Sequence, residues 1–242
     1  MELVCPLKVA SSQCFVKQND IEATLSHIQS VMENADSKNI DIVCFPECYL
    51  QGYFLDQPEI QNVALDLRSP EFAQVLEAVK DFKATIILGL IEVDGDDYYN
   101  TAVVIENGQL LGKYRKTYPN EGVFSAGKDY PIFEKNNVRY GINICSDANY
   151  PQAAQQLSQQ GAEIIFFPLN NKLPAPIADQ WRERSKDNLV YRAIETRCWV
   201  VSADIAYNSK TEKGYGCSLI VNPMGQIVEQ AAEFSQSFIC LC

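Results

Sequence analysis

The sequence predicts an α/β protein, a layered sandwich with mixed sheets, folded as a single domain over residues 1–242. Three observations support this prediction. Helical periodicity alternates with short apolar runs of strand length, as is typical of helices packed on sheets. Hairpin signals interrupt that alternation, so some neighbouring strands are expected to be antiparallel. No linker, repeat or low-complexity tract divides the chain.

The chain is predicted to open with a strand and then a helix. Leu7–Val16 forms the strand, and residues 20–38 form the helix, with Asn19 as the N-cap and Glu22 completing a capping box. His27 lies off the apolar stripe of this helix and is expected on the solvated surface. The stripe itself recurs at helical spacing and comprises Ile21, Leu25, Ile28, Met32 and Ala35.

Three more helices are predicted from the residues at their ends. Ser69-Pro70 begins one of them, because serine is a good N-cap and proline suits the first helical position. Pro151–Gln160 forms another, with Gly161 as its C-terminal stop. Residues 176–196 form a long helix.

The remaining strands are predicted from short apolar runs bounded by turn residues. Asn107-Gly108 is the strongest short hairpin signal in the chain, and Pro223-Met224-Gly225 makes a second turn. The predicted strands are Ile42–Phe45, Ala84–Val93, Thr101–Ile105, Gln109–Arg115, Val138–Ile144, Glu163–Phe167, Cys198–Ala203, Tyr215–Val221, Gln226–Glu229 and Phe238–Leu241.

Composition excludes several classes of function. The net charge of −11 argues against binding to nucleic acid or to an anionic membrane surface. The N-terminus does not resemble a signal peptide and no run is long enough to span a membrane, so we expect a cytoplasmic protein. Nine cysteines, no C-x-x-C and one histidine favour reduced thiols over a metal or redox site. No nucleotide-binding glycine motif occurs.

Three polar residues follow the ends of predicted strands. Glu47 comes after the strand at 42–45, Lys116 after that at 109–115, and Cys145 after that at 138–144. In α/β folds, reactive groups collect beyond the carboxyl ends of strands. The sequence therefore makes these three residues candidates for one site, although it does not show that the three strand ends meet.

Cys145 differs from the other cysteines in its position. It stands at a strand-to-loop junction, where a tight turn can expose its sulfur and aim a backbone N–H at a bound carbonyl oxygen. Cys48 is ambiguous because it neighbours Glu47. A small buried hydrophobe is the expected role of Cys5, Cys14, Cys44, Cys198, Cys217, Cys240 and Cys242.

A nucleophilic cysteine needs a base, and here a carboxylate is the better candidate than the one histidine. Glu47 lies in IVCFPECYLQGYF, where apolar neighbours would raise its pKa; a buried ion pair or a helix N-terminus explains it equally well. Lys116, in GKYRKTYP, could stabilise an oxyanion, although a basic surface patch is the simpler interpretation. Glu121 could be a second carboxylate near it or only a loop residue.

The three segments together resemble motifs of the nitrilase superfamily of carbon–nitrogen hydrolases, amidase-like branch. FPECYLQGY, GKYRKTYP and YGINICSDANYP are similar to its glutamate, lysine and cysteine motifs, and RAIETRCWVVSAD and GCSLIVNPMGQIV to later structural ones. The resemblance covers the chain to about Val228. It implies a four-layer α-β-β-α sandwich that can form a homodimer and needs no metal or organic cofactor.

The resemblance also implies the roles of individual residues. Cys145 would attack an amide, carbamoyl or nitrile carbon, Glu47 would act as the base, and Lys116 with the Ser146 N–H would stabilise the oxyanion. Glu121 matches a glutamate that positions substrate. Candidates for the pocket by motif position are Tyr53, Asn149, Asn170 and Trp181, each of which could instead have a core or capping role.

Four positions depart from the common pattern. Tyr118 replaces a histidine, Asn149 an arginine, Gln152 an acidic residue and Thr196 an asparagine. The leading hypothesis is hydrolysis of a small linear carboxamide to acid and ammonia through a thioester. Carbamoyl hydrolysis comes second and nitrile hydrolysis third. A catalytically silent scaffold and a redox or metal thiol protein are the alternatives of other classes.

Overall fold

The computed structural model describes residues 4–241, which form two β-sheets and five helices. The helices are α1 Ile21–Ser37, α2 Gln57–Val63, α3 Pro70–Ala78, α4 Pro151–Gln159 and α5 Ala175–Thr196. The strands are β1 Val9–Phe15, β2 Ile42–Cys44, β3 Thr85–Asp94, β4 Asp97–Glu106, β5 Gln109–Arg115, β6 Phe133–Lys135, β7 Val138–Ile142, β8 Ile164–Pro168, β9 Leu173–Pro174, β10 Trp199–Ala203, β11 Ile205–Asn208, β12 Glu212–Tyr215, β13 Leu219–Val221, β14 Ile227–Gln230 and β15 Ser237–Leu241.

Both sheets are mixed, as the sequence predicts. The first has nine strands in the order β5-β4-β3-β2-β1-β11-β12-β9, with β15 also paired to β1. Its strands β1, β2 and β3 are parallel, whereas β3, β4 and β5 form antiparallel hairpins. The second has six strands in the order β14-β13-β10-β8-β7-β6, and β10, β8 and β7 are parallel.

The core divides the molecule into four layers. One apolar cluster packs α1 and α3 on the outer face of the first sheet. A second fills the space between the sheets, where Ile42 and Val104 of the first meet Tyr140 and Phe166 of the second. A third packs α4 and α5 on the far face of the second sheet. The four-layer α-β-β-α sandwich implied by the resemblance is therefore confirmed.

Side chains of β2 show how the sequence builds these layers. Successive residues of a strand point to opposite faces. Val43 accordingly enters the outer cluster, while Ile42 and Cys44 enter the cluster between the sheets. All three are fully buried, which explains why β2 is a continuous apolar run rather than an alternating one.

Two predictions about local structure are wrong. The N-cap of α1 is Asp20, whose carboxylate accepts the Ala23 N–H at 2.9 Å, whereas Asn19 precedes the cap with a φ of 54°. Asn19 is displaced because a left-handed residue cannot hold the extended conformation usual for a cap.

The predicted strand Tyr215–Val221 is also wrong, because the chain crosses from one sheet to the other within it. Gly216 has a φ of +81°, and a Cβ there would lie 2.3 Å from the Gln13 side chain. The Cys217 N–H bonds to the Asp204 carboxylate at 2.8 Å rather than to a neighbouring strand. Tyr215 therefore ends β12, and pairing resumes only at Leu219 in β13.

None of the helices within residues 4–241 is sufficiently long and apolar to cross a membrane.

Candidate active site

The loops after β2, β5, β7 and β8 meet at one edge of the sandwich. The Glu47 N–H after β2 donates to the Leu169 carbonyl after β8 at 3.1 Å, which joins the two sheets there. Gly89 of β3 lies directly beneath this loop. A Cβ at Gly89 would lie 2.3 Å from the Pro46 carbonyl oxygen and 2.6 Å from the Cys48 nitrogen, so only glycine permits the approach.

Glu47, Lys116 and Glu121 form a buried charge cluster at this edge. Lys116 Nζ donates to Glu47 Oε1 at 2.8 Å and to Glu121 Oε1 at 2.5 Å. All three side chains are at least 95% buried. Asn100 Nδ2 also donates to Glu47 Oε1, at 2.7 Å, and the Tyr53 hydroxyl donates to Glu121. Lys116 therefore has no surface exposure, and the basic-patch interpretation is wrong.

The second oxygen of Glu47 is different. Glu47 Oε2 is buried and has no hydrogen-bond partner among the described residues. A buried carboxylate oxygen without a partner is costly, because its desolvation is not compensated. Buried polar atoms without a partner are uncommon in folded proteins, and this oxygen is available to accept a proton.

The pKa values of the two carboxylates shift in opposite directions. Burial raises the pKa of Glu47, with the nearby Glu121 charge acting in the same direction against the attraction of Lys116. Burial also acts to raise the pKa of Glu121, but the charge and hydrogen bond of Lys116 and the bond from Tyr53 outweigh it and lower that pKa. For Lys116, burial acts to lower the pKa, and the carboxylates outweigh it, so the ammonium stays charged. One carboxylate is thus suited to exchange a proton and the other to hold a charge.

Cys145 enters the cluster from the second sheet. It begins a 3₁₀ turn, Cys145–Asn149, shortly after the end of β7 at Ile142, with a φ of 41° that is strained for a residue with a side chain. Burial raises the pKa of its thiol, Glu47 raises it further, and the Lys116 charge and a backbone bond from Asn170 act to lower it. The resting thiol is therefore protonated at neutral pH and needs a base to ionise.

Asp147, a residue without a predicted role, fixes this turn. Its Oδ2 accepts the Tyr114 hydroxyl at 2.7 Å and the Ile144 N–H at 2.8 Å, and its Oδ1 accepts the Tyr118 N–H at 2.9 Å and the Thr117 hydroxyl at 3.3 Å. The side chain ties the cysteine turn to the loop that follows Lys116. The only local signal was an aspartate inside a turn, a position where aspartate commonly bonds to nearby backbone.

A cavity of about 270 Å³ opens above Cys145. Its walls include every residue that the sequence placed in the pocket: Tyr53, Glu121, Asn149, Asn170 and Trp181. The predictions missed Ser185, Asn188 and Leu189, which line the cavity from α5. Asn149 is exposed at the rim, where its Oδ1 accepts Asn188 Nδ2 at 2.7 Å. The structure therefore brings the predicted pocket residues together, with their roles in binding still predictions.

Ser146 and Tyr118 hold the turn from its other side. The Ser146 hydroxyl donates to the Tyr118 carbonyl at 2.7 Å, and the Tyr118 ring stacks on Tyr150 with centroids 4.1 Å apart. Both contacts bind the turn to the lysine loop. Tyr118, one of the departures from the common pattern, thus packs against Tyr150 at the start of α4.

The remaining candidate groups lie elsewhere. The prediction for His27 is wrong: it is half-buried, and its Nδ1 is hydrogen-bonded to the Tyr49 hydroxyl at 2.8 Å. Cys14, Cys44, Cys48, Cys198 and Cys217 are buried thiols, whereas Cys5 and Cys240 are only half-buried and Cys242 lies outside the described residues. Within residues 4–241, no group of His, Cys, Asp and Glu side chains is arranged to hold a metal ion.

Comparison with known proteins identifies the family. Residues 8–240 match the family model described as carbon-nitrogen hydrolase. A nitrilase from Pyrococcus abyssi is 29% identical over 94% of this chain and 86% of its own length. The omega-amidase NIT3 of Saccharomyces cerevisiae is 27% identical over 94% of this chain and 84% of its own.

A solved structure shows the same fold. The crystal structure of an amidase from Nesterenkonia sp. has a TM-score of 0.85 at 18% sequence identity, over 99% of this chain and 92% of that one. The sandwich and the family match together define a carbon–nitrogen hydrolase. This chain belongs to the carbon–nitrogen hydrolase family, within the nitrilase superfamily.

Proposed function

We propose that this hydrolase cleaves a small linear carboxamide to a carboxylic acid and ammonia, with Cys145 as nucleophile and Glu47 as base. The single observation that carries the proposal is Glu47 Oε2, a buried carboxylate oxygen without a partner beside a protonated thiol. The amidase and omega-amidase names of its relatives agree with this choice of substrate.

In the first half of the reaction, Glu47 accepts the thiol proton and the Cys145 sulfur attacks the amide carbon. The charge that develops on the carbonyl oxygen is stabilised by the Lys116 ammonium and by the Ser146 N–H, in a largely dry site where such interactions are strong. Protonated Glu47 then gives its proton to the leaving nitrogen. Ammonia departs and a thioester remains on Cys145.

In the second half, Glu47 takes a proton from water, and the resulting hydroxide attacks the thioester carbon. The acid leaves, and the sulfur regains its proton from Glu47. Glu121 holds Lys116 in place throughout, because its lowered pKa keeps it charged and its second donor, Tyr53, fixes its orientation. One amide and one water give one acid and one ammonia.

The test measures ammonia released from a panel of short amides, carbamoyl amino acids and nitriles. Cys145→Ala should release none, whereas Cys48→Ala should retain most of the activity. Cys48 is the matched control because it also neighbours Glu47 but packs against Phe54 and Ile60, away from the cavity. Ammonia release that survives in Cys145→Ala would overturn the assignment of the nucleophile.

Glu47→Gln tests whether Glu47 is the base without disrupting the fold. Its amide oxygen can still accept from Lys116 and Asn100, so the variant should fold normally. Loss of a positioned general base typically costs about 10²–10⁴-fold in rate. Chloroacetamide, a small amide that alkylates thiols, should modify Cys145 of the wild type and should modify Glu47→Gln much more slowly by mass spectrometry. Equal rates would refute Glu47 as the base.

A further inference from the structure

The wall that α5 contributes to the cavity carries no charge, although the helix is highly charged elsewhere. Eight of the 22 residues of α5 are charged: Asp179, Arg182, Glu183, Arg184, Lys186, Asp187, Arg192 and Glu195. The residues facing the cavity recur at helical spacing and are all neutral: Ile177, Trp181, Ser185, Asn188 and Leu189. Charge is thus confined to the other faces of the helix.

The four cations of α5 have other partners. Arg182 bonds to Glu233 at 2.7 Å, Lys186 lies 3.2 Å from Glu183, and the Arg192 guanidinium donates to the Ala148 carbonyl at 3.0 Å. Arg184 rests over the Trp181 ring, 4.5 Å from its centroid, and is exposed. None of these four cations lines the cavity above Cys145.

The rest of the lining gives the same result. Its one charged member is Glu121, whose carboxylate is ion-paired with Lys116. The other polar lining groups are amides and hydroxyls, which hydrogen-bond to neutral groups but do not compensate a buried charge. The chain as a whole has a net charge of −11, so its long-range field also repels anions.

We propose that the cavity selects amides whose acyl chain is short and uncharged, and that it discriminates against those bearing a carboxylate. The volume of about 270 Å³ lies just below the range typical of drug-sized ligands, which agrees with an acyl group of a few carbons. The acyl chain would lie against Leu173, Ile177 and Trp181, and the asparagines would hold the amide end. This inference rests on the proposed amide hydrolysis.

The test compares three amides of matched length: hexanamide, 5-aminopentanamide and glutaric acid monoamide. They differ mainly in the terminal group, which is neutral, cationic or anionic. We expect kcat/KM, measured by ammonia release, to be highest for hexanamide and at least about tenfold lower for glutaric acid monoamide, since a charge loses its hydration in the cavity without finding a partner. The difference should persist at high salt, because salt screens the field of the whole protein but not the cavity wall.

A variant tests the α5 wall directly. Ser185→Lys places a cation on the neutral stripe and should raise the ratio of kcat/KM for glutaric acid monoamide over hexanamide at least about tenfold. Gln159→Lys, on the exposed face of α4, makes the same change in net charge away from the cavity and should leave the ratio unchanged. Equal shifts in both variants would assign the selectivity to net charge and overturn the inference.

Other outcomes are equally decisive. If either charged amide is hydrolysed as fast as hexanamide, the inference fails while the proposed function stands. If the wild type hydrolyses glutaric acid monoamide as fast as hexanamide and Arg184→Gln does not, the exposed arginine supplies the counter-ion that we consider absent. If no amide of the wider panel releases ammonia, the proposed function itself fails.

Discussion

Asp147 provides the sharpest test of how the site is held together. Its two carboxylate oxygens accept four donors, two of them backbone N–H groups of Ile144 and Tyr118. In Asp147→Asn, the NH₂ group must replace one oxygen. Whichever way the amide turns, one backbone N–H then faces a donor and loses its acceptor.

The expected cost follows from that count. Each buried donor left unsatisfied costs about 1–3 kcal/mol, and the remaining bonds lose the assistance of a charge, so we expect a loss of about 2–4 kcal/mol in the free energy of unfolding. The hydroxyl of Tyr114 does not add a full loss, because it can turn to Thr117 Oγ1, which lies 2.9 Å away. For a chain of this size, the Tm should fall by roughly 5–15 °C.

The assay is thermal and urea unfolding of Asp147→Asn beside Asp129→Asn. Asp129 is exposed, so the same chemical change there should cost less than about 0.5 kcal/mol. The rate of Cys145 alkylation by chloroacetamide, measured at a temperature where both variants are folded, should also fall only in Asp147→Asn. A Tm within about 2 °C of the wild type would refute this account of the cysteine turn.

Three other predictions follow from the structure. Burial acts to raise the pKa of Glu92, but hydrogen bonds from Arg115 and Lys113 outweigh it and hold the pKa below its ordinary value of 4.5. The ionised group therefore stabilises the fold above pH 4.5. The difference in the free energy of unfolding between wild type and Glu92→Gln, measured in urea, should shrink as the pH falls below 4.5, and a constant difference would contradict this. Burial and the charge of Lys17 lower the pKa of His27 below 6.5, so the folded state favours the neutral imidazole. The stability that this group contributes is therefore lost as the pH falls from 6.5 through the folded pKa. An NMR titration that gave the single imidazole a pKa of 6.5 or more would contradict this. Gly89→Ala should lower the free energy of unfolding in urea by about 1–3 kcal/mol and slow Cys145 alkylation, because its Cβ would displace the loop that carries Glu47. If neither value changed, the loop would have to accommodate the extra methyl group without moving Glu47.

Local signals predicted most of the helices and strands, although α2, β6, β9 and β11 were missed. The long helix α5 lies within one residue of the expected 176–196, and Asn107 and Gly108 both take the positive φ that their hairpin turn requires. Each rests on interactions within a few residues of sequence. The positions of Glu47, Lys116 and Cys145 at strand ends could be predicted for the same reason.

Features that depend on distant contacts could not be predicted. The order of strands brings the ends of β2, β5 and β7 to one edge, and pairing between distant strands leaves no local trace. The break at Gly216 depends on Gln13, and the burial of His27 depends on Tyr49. The four donors to Asp147 come from three separate segments, β5, the lysine loop and the end of β7. Residue preferences at the N-cap do not separate Asn19 from Asp20, because they do not include the backbone φ that excludes Asn19.

The cluster spans the boundary between the two sheets, and this has a consequence for folding. Glu47 and Lys116 follow strands of the first sheet, whereas Cys145 follows a strand of the second. A partly folded state with only one sheet formed would place either Glu47 or Cys145 correctly, but not both. During refolding from urea, the part of Cys145 reactivity toward chloroacetamide that depends on Glu47, measured as the excess over Glu47→Gln, should therefore return only when the two sheets have packed together.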